Sequence, residues 1–361
     1  MPARRSIRKA TQSYERWLGS HLRLVRRDLR AKHRAMRDGA LAFFRGSFFR
    51  WAERWREWCP ELADGPGVVA VADLHIENFG TWRDAEGRLV WGVTDFDEAW
   101  PLPYTNDLVR LATSAILARR EGLLGLEDDD VVGAVLEGYT DGLAISGQPF
   151  VLAEQHRTLR TMALARLRDA GAFWEKLGAS LTLPERGLGS AARLLTRSLP
   201  RGATGLRFLH RQSGMGSLGR ERVAVVAHYR GSKIAREVKA LAPSACAWAE
   251  GRRGARRRWQ RPLLANPHRS PDPLLRLYRR WILRRIAPDC GRIDLAGLPA
   301  RRDERRLLVA MGWETANVHL ASRSGRAILR DLARRETDWL LVGARRALGE
   351  VLRDHEAWAG G

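Results

Sequence analysis

The chain has 361 residues, 45% hydrophobic and 29% charged, enough for one large domain or two ordinary ones with a real core. Its net charge of +22 excludes an acidic solvating tail and invites polyanions as partners, but only Lys9, Lys32, Lys176, Lys233 and Lys239 are lysines, and a coding bias towards arginine raises charge without function. Three scattered cysteines, Cys59, Cys246 and Cys290, exclude a disulfide framework and a zinc ribbon. No apolar run approaches the ~20 residues of a membrane span, and no hydrophobic leader follows Met1, so the expected compartment is a reducing cytoplasm.

Residues 13–60 carry apolar side chains at helical spacing, from Trp17 and Leu18 to Phe48, Trp51 and Trp55, until Pro60 and Asp64-Gly65-Pro66-Gly67 stop them. Val68–Ala72 predicts a buried strand, followed by Asp73-Leu74-His75-Ile76-Glu77-Asn78-Phe79-Gly80. A hairpin is predicted next, with its turn at Asp84–Gly87 and a return strand Arg88–Thr94 that delivers Asp95-Phe96-Asp97-Glu98. A helix follows from Asp107, with Thr105, Asn106 or Asp107 as its cap, and further helices fill 126–200. Beyond Pro200 come a glycine-rich loop and two β-rich runs, Arg222–Tyr229 and Ile234–Leu241. The chain after Pro271 reads as mostly helical.

Asp73, Asn78 and Asp95 form the strongest chemical signal. Phosphoryl transfer needs one carboxylate to orient an attacking hydroxyl and accept its proton, and an amide with a second carboxylate to hold Mg²⁺, a hard cation that takes oxygen ligands. Asp97 is a candidate extra ligand. Each aspartate alone reads equally well as a turn or cap residue. Gly214-Met215-Gly216-Ser217-Leu218-Gly219 is a G-x-G-x-x-G; the strand-like Val223–Val226 after it disfavours a Rossmann site, and Arg220-Glu221 in place of Lys-Ser/Thr excludes a Walker A loop. What remains is the glycine hairpin of kinases, with Lys239 on the second run as the phosphate-pairing lysine. Glu250 is a candidate acidic partner for Lys239, and His75 a residue orienting the loop. Asp-x-His also opens metallophosphoesterase sites, but the further clustered histidines they need are missing from the sequence. The fourteen tryptophans read as core residues.

Phe44-Arg45-Gly46, Asp73-x-His75-x-x-Asn78-Phe79-Gly80, Asp95-Phe96-Asp97-Glu98-Ala99, Asp107-Leu108-x-Arg110-Leu111-Ala112 and Lys239-Ala240 together resemble the uncharacterised bacterial DUF2252 family. The same residues are similar to the catalytic loop of aminoglycoside- and choline-type kinases. Ala72 stands where those have glycine before the aspartate, and Asp97 where protein kinases carry the glycine of D-F-G. The resemblance implies an α+β, two-lobed protein-kinase-like fold, circularly permuted because the catalytic loop precedes the glycine loop. It divides the chain into a helical catalytic region 1–200, a small β-rich nucleotide lobe 201–290 and returning helices 291–361. It also implies an ATP- and Mg²⁺-dependent phosphotransferase acting on a hydroxyl-bearing small molecule, with Asp73 as base, Asn78, Asp95 and Asp97 on the metal, and Gly214, Gly216, Ser217, Gly219 and Lys239 on the nucleotide. Two alternatives stay open: a pseudokinase that holds nucleotide without turnover, and a polyanion- or nucleic-acid-binding protein using the basic segments 1–50 and 252–285. Those segments hold fourteen Lys/Arg against three acids and twelve Arg against one, although solvated helix faces give the same composition.

Overall fold

In the computed structural model, described for residues 5–153, 155–167, 170–252, 258–291 and 301–360, the helical N-terminal stretch is four helices. These are α1 (Ile7–Gly19), α2 (Arg26–Asp38), α3 (Ala40–Gly46) and α4 (Phe48–Trp58), broken where Leu24 forms a β-bridge, at Gly39 and at Ser47. Strands β1 (Gly67–Ala70), β2 (Phe79–Arg83), β3 (Leu89–Val93) and β4 (Trp100–Pro103) follow, then α5 (Tyr104–Arg120), α6 (Asp128–Ala144), β5 (Phe150–Val151), α7 (Arg157–Leu167), α8 (Ala170–Gly178), β6 (Thr182–Leu183) and α9 (Ser190–Ser198). The second half contains β7 (Thr204–His210), β8 (Arg222–Tyr229), β9 (Ser232–Ala240), α10 (Ala245–Ala249), α11 (Gln260–Leu264), β10 (Arg276–Leu277), β11 (Trp281–Ile286), α12 (Arg301–Leu320), α13 (Gly325–Leu332) and α14 (Trp339–Ala359). The fold is α+β, as expected, and every sheet is antiparallel.

The hairpin β2–β3 has the expected turn: Asp84 Oδ1 accepts from Glu86 N and Arg88 N, and Gly87 takes φ +74°. Two expectations need correction. The chain after Pro271 is not simply helical, because β10 and β11 complete a six-stranded sheet in the order β10-β11-β9-β8-β7-β6. The arginines of β11 hid the strand; Arg284 stands opposite Glu237 of β9, so the charge that argues against a strand is neutralised by a residue 47 positions away. The helix of Asp107 starts earlier, at Tyr104, after Pro103. Asp107 is therefore not its cap. Residues 253–257 of the basic segment 252–285, like Met1–Arg4, lie outside the described residues.

Alternation along the strands gives the large sheet two different faces. Val223, Val225, Val238 and Leu283 join the main core, beneath which α9 contributes Ala191, Ala192 and Leu195. The opposite face carries Arg222, Glu237, Lys239 and Arg284, then an apolar patch of Leu209, Ala224, Ala235 and Ile286 covered by Leu177 of α8. That charged face looks onto the hairpin that ends at Asp95.

Candidate functional site

A cleft of about 1070 Å³ lies between this sheet face and the β1–α5 region. Its walls include Asp73, Asn78, Asp95, Asp97, Gly214, Gly216 and Ser217, so residues from two distant parts of the chain share one space.

Asp73 follows β1 through Val71 and Ala72. Ala72 has φ +68°, a left-handed conformation that costs a non-glycine residue on the order of 1 kcal/mol. Buried Asp107 offsets that cost: its Oδ2 accepts from Val71 N at 2.7 Å and its Oδ1 from Ala72 N at 2.9 Å. Asp107 in turn meets His319 Nε2 at 3.1 Å, and Tyr139 Oη lies 2.7 Å from His319 Nδ1. The loop thus stands on side chains of α5, α6 and α12.

Arg110 of α5, fully buried, donates through Nε and Nη2 to Asp73 Oδ1, the Nε contact being 3.0 Å. Its guanidinium carbon stands 4.0 Å from the ring centre of Phe44, 4.9 Å from that of Phe48 and 5.0 Å from that of Trp51. Such a cation–π cage fixes a charge without water. Burial pushes the Asp73 carboxyl up to about 7, against the pull of Arg110. With Oδ1 engaged by Arg110, the other oxygen faces the glycine loop: a Cβ at Gly216 would stand 3.2 Å from Asp73 Oδ2.

Asn78 Nδ2 donates to the Asp73 carbonyl at 2.7 Å, and the Asn78 carbonyl accepts from Thr94 N and Thr94 Oγ1, each at 2.9 Å. Asn78 and Asp95 are brought together by the pairing of β2 with β3. From the sheet, Lys239 Nζ reaches the two aspartates, 3.1 Å from Asp95 Oδ2 and 2.6 Å from Asp97 Oδ2. Burial opposes ionisation of Asp95, but Lys239 and the Asp97 contacts outweigh it and hold the group well below the usual carboxylate range. Burial and the Asp95 charge push Asp97 up to about 6. Lys239 itself lies behind these carboxylates, in a side cavity of about 20 Å³.

Other candidates have structural partners. Glu250 is not the partner of Lys239; it accepts from Trp100 Nε1 at 2.8 Å and pairs with Arg252 at 3.0 Å. Gly219 is not among the residues lining the cleft: it turns onto α2, where a Cβ would stand 2.4 Å from Leu29 Cδ2. Glu98 holds Arg220 Nη2 at 2.6 Å and Ala245 N at 2.6 Å, which fixes α10. His75 Nδ1 accepts from Glu77 N at 3.2 Å, and Glu77 pairs with Arg45. Sequence reasoning missed Arg110 as the partner of Asp73, and it missed Glu237, whose Oε1 takes Arg222 Nη1 at 3.0 Å and Arg284 Nε at 2.9 Å while Oε2 meets Arg211 at 2.7 Å. The available signal was spacing: Glu237 and Lys239 are two apart on one strand and share a face.

Asn78, Asp95 and Asp97 offer only oxygen donors, the chemistry of a hard divalent cation. No group of three or more His, Cys, Asp or Glu able to hold a metal occurs among the described residues, so such a site would lean on the Asn78 amide. No helix among the described residues is long and apolar enough to cross a membrane. No curated protein and no solved structure matches the chain. Residues 23–170, which contain Asp73, Asn78, Asp95, Asp97, Asp107 and Arg110 but neither the glycine loop nor Lys239, are similar to the family DUF2252, described as an uncharacterized protein conserved in bacteria.

Proposed function

We propose that the cleft is the site of an ATP- and Mg²⁺-dependent phosphotransferase of kinase-like, circularly permuted design, acting on a hydroxyl-bearing small molecule. One observation carries the reading: Lys239, on the second strand after the glycine loop, meets Asp95 at 3.1 Å, while Gly216 of that loop lies against Asp73. Asp73 Oδ2 accepts the proton of the acceptor hydroxyl as its oxygen bonds to the terminal phosphorus and the bond to the departing ADP oxygen breaks. A base poised near neutral pH suits that step. Asn78, Asp95 and Asp97 would hold Mg²⁺, which neutralises phosphate charge when bound. Loop amides from Gly214 to Ser217 cover the phosphates, and Lys239 exchanges a carboxylate for a phosphate oxygen.

A thermal-shift titration with Mg·ATP tests this. Ligand that binds only the folded state raises the melting temperature by mass action. Wild type is expected to gain several degrees at saturating nucleotide and Asp95→Ala much less; no gain in wild type, or an equal gain in both, sinks the proposal. Retained binding with no ADP formed over a panel of hydroxyl acceptors would instead favour a nucleotide-holding pseudoenzyme.

A second reading rests on a different observation. Arg23, Arg26, Arg30, Arg34 and Arg37 are exposed along and just before α2, whereas Asp28 of the same helix is buried. Such a row fits a phosphate backbone, and binding to single-stranded nucleic acid that weakens steeply with salt and ignores Asp73→Asn would favour it.

A further inference from the structure

The loop between β7 and β8 is stitched to α2 and the residues just before it. Leu24 forms a β-bridge with Arg220, and Val25 N donates to the Gly219 carbonyl at 2.8 Å. Buried Asp28 holds both His210 Nε2, at 3.0 Å, and Gln212 Nε2, at 2.5 Å, where the chain leaves β7. Lys32 Nζ, from the next turn of α2, donates to the Gly216 carbonyl at 3.1 Å. Gly46 leaves the space these groups need, since a Cβ there would stand 2.6 Å from Met36 Cγ and 3.4 Å from Lys32 Cε. The Phe44-Arg45-Gly46 motif thereby acquires two roles: the Phe44 ring faces Arg110, and Gly46 admits Lys32.

We propose that α2 is a strap that fixes the glycine loop over the cleft, and that Lys32 is a positioning residue that aims the Ser217 amide at the anion the loop covers. The second clause rests on the reading that this anion is a nucleotide's phosphate chain. The reasoning is geometric. Among the described residues no peptide bond is cis, so the Gly216–Ser217 peptide is planar and trans, and its N–H points opposite to its carbonyl. Lys32 holds that carbonyl on the α2 side, which directs the Ser217 N–H away from α2. Ser217 Oγ is fixed as well, accepting from Arg222 Nη2 at 2.7 Å. A glycine loop free in solution would have to be ordered by its ligand, whereas a loop already stitched binds without that cost.

Hydrogen exchange on the full, ligand-free chain tests the strap, with α5 as a reference for the intact fold. Lys32→Met is expected to speed exchange of the 214–219 amides roughly tenfold while α5 stays protected. Unchanged exchange in the loop overturns the strap. Should Lys32→Met also loosen α5, Asp28→Asn, which keeps side-chain size, decides by the same measure. Calorimetry then compares Mg·ATP with adenosine, which lacks phosphates. Loss of Lys32 is expected to weaken ATP about tenfold and leave adenosine unchanged; equal weakening of both, or of neither, overturns the aiming role. A wild type that binds no ATP removes the nucleotide reading and the aiming role with it, whereas the exchange experiment still decides the strap.

Discussion

Lys32 buries an ammonium beside the glycine loop, and its titration has a measurable consequence. Burial lowers its pKa from 10.5 to about 8. Between those values the unfolded chain still carries the proton that the folded chain has released, so stability rises with pH across this window and the cost of the buried charge is fully felt below it. Comparing urea denaturation of wild type and Lys32→Met at pH 7 and pH 10 isolates this group from other alkaline titrations. The difference is expected to move in favour of wild type by about 2 kcal/mol. No movement, or movement the other way, would mean that the side chain is solvated. Arg110 solves a similar problem differently: a guanidinium does not discharge, so it keeps its charge inside an aromatic cage and spends it on Asp73.

Helices α6 and α12 meet at glycines. A Cβ at Gly138 would stand 1.8 Å from the Val309 carbonyl oxygen, and one at Gly312 would stand 2.0 Å from that of Val135. Gly138→Ala is therefore expected to destabilise the protein by about 1–3 kcal/mol or more in urea denaturation. Gly133→Ala, on the same helix with nothing within 4 Å of its added methyl, should stabilise by up to about 1 kcal/mol through helix propensity. Because α12 also carries His319 against Asp107, this contact supports the loop of Asp73. Which elements the sequence makes legible follows the same logic of partners. Hairpin β2–β3 was readable because its turn residues and alternation are local, and the approach of Asn78 to Asp95 was readable because the pairing of Phe79 with Val93 sets it. Strand β11 was not, since Arg284 looks like surface charge until Glu237 opposite it is known. Asp107 looked like a cap for its own helix, yet its carboxylate belongs to backbone 36 and 35 residues earlier.

Across the whole molecule, cations from the second half of the chain close onto acids from the first half. Lys239 lies on Asp95 and Asp97, and Arg220 on Asp97 and Glu98, all at low exposure except Asp95. Removing one member of such a buried set leaves uncompensated charge and typically costs about 3–5 kcal/mol. Lys239→Met should therefore lower the melting temperature sharply, with Asp95 losing its ammonium and Asp97 left with Arg220. The vacated carboxylates then become available to a divalent cation. If the proposed metal site is right, Mg²⁺ in wild type would have to compete with an ammonium already in place, whereas in the variant it would replace a missing charge, so millimolar Mg²⁺ is expected to raise the melting temperature of Lys239→Met by more than that of wild type. Sodium chloride at equal ionic strength should not reproduce the difference, because screening does not supply a ligand-bound charge. Equal gains in the two proteins would show that the ammonium and the metal do not share these oxygens, and would remove Asp95 and Asp97 from the metal-binding role assigned to them.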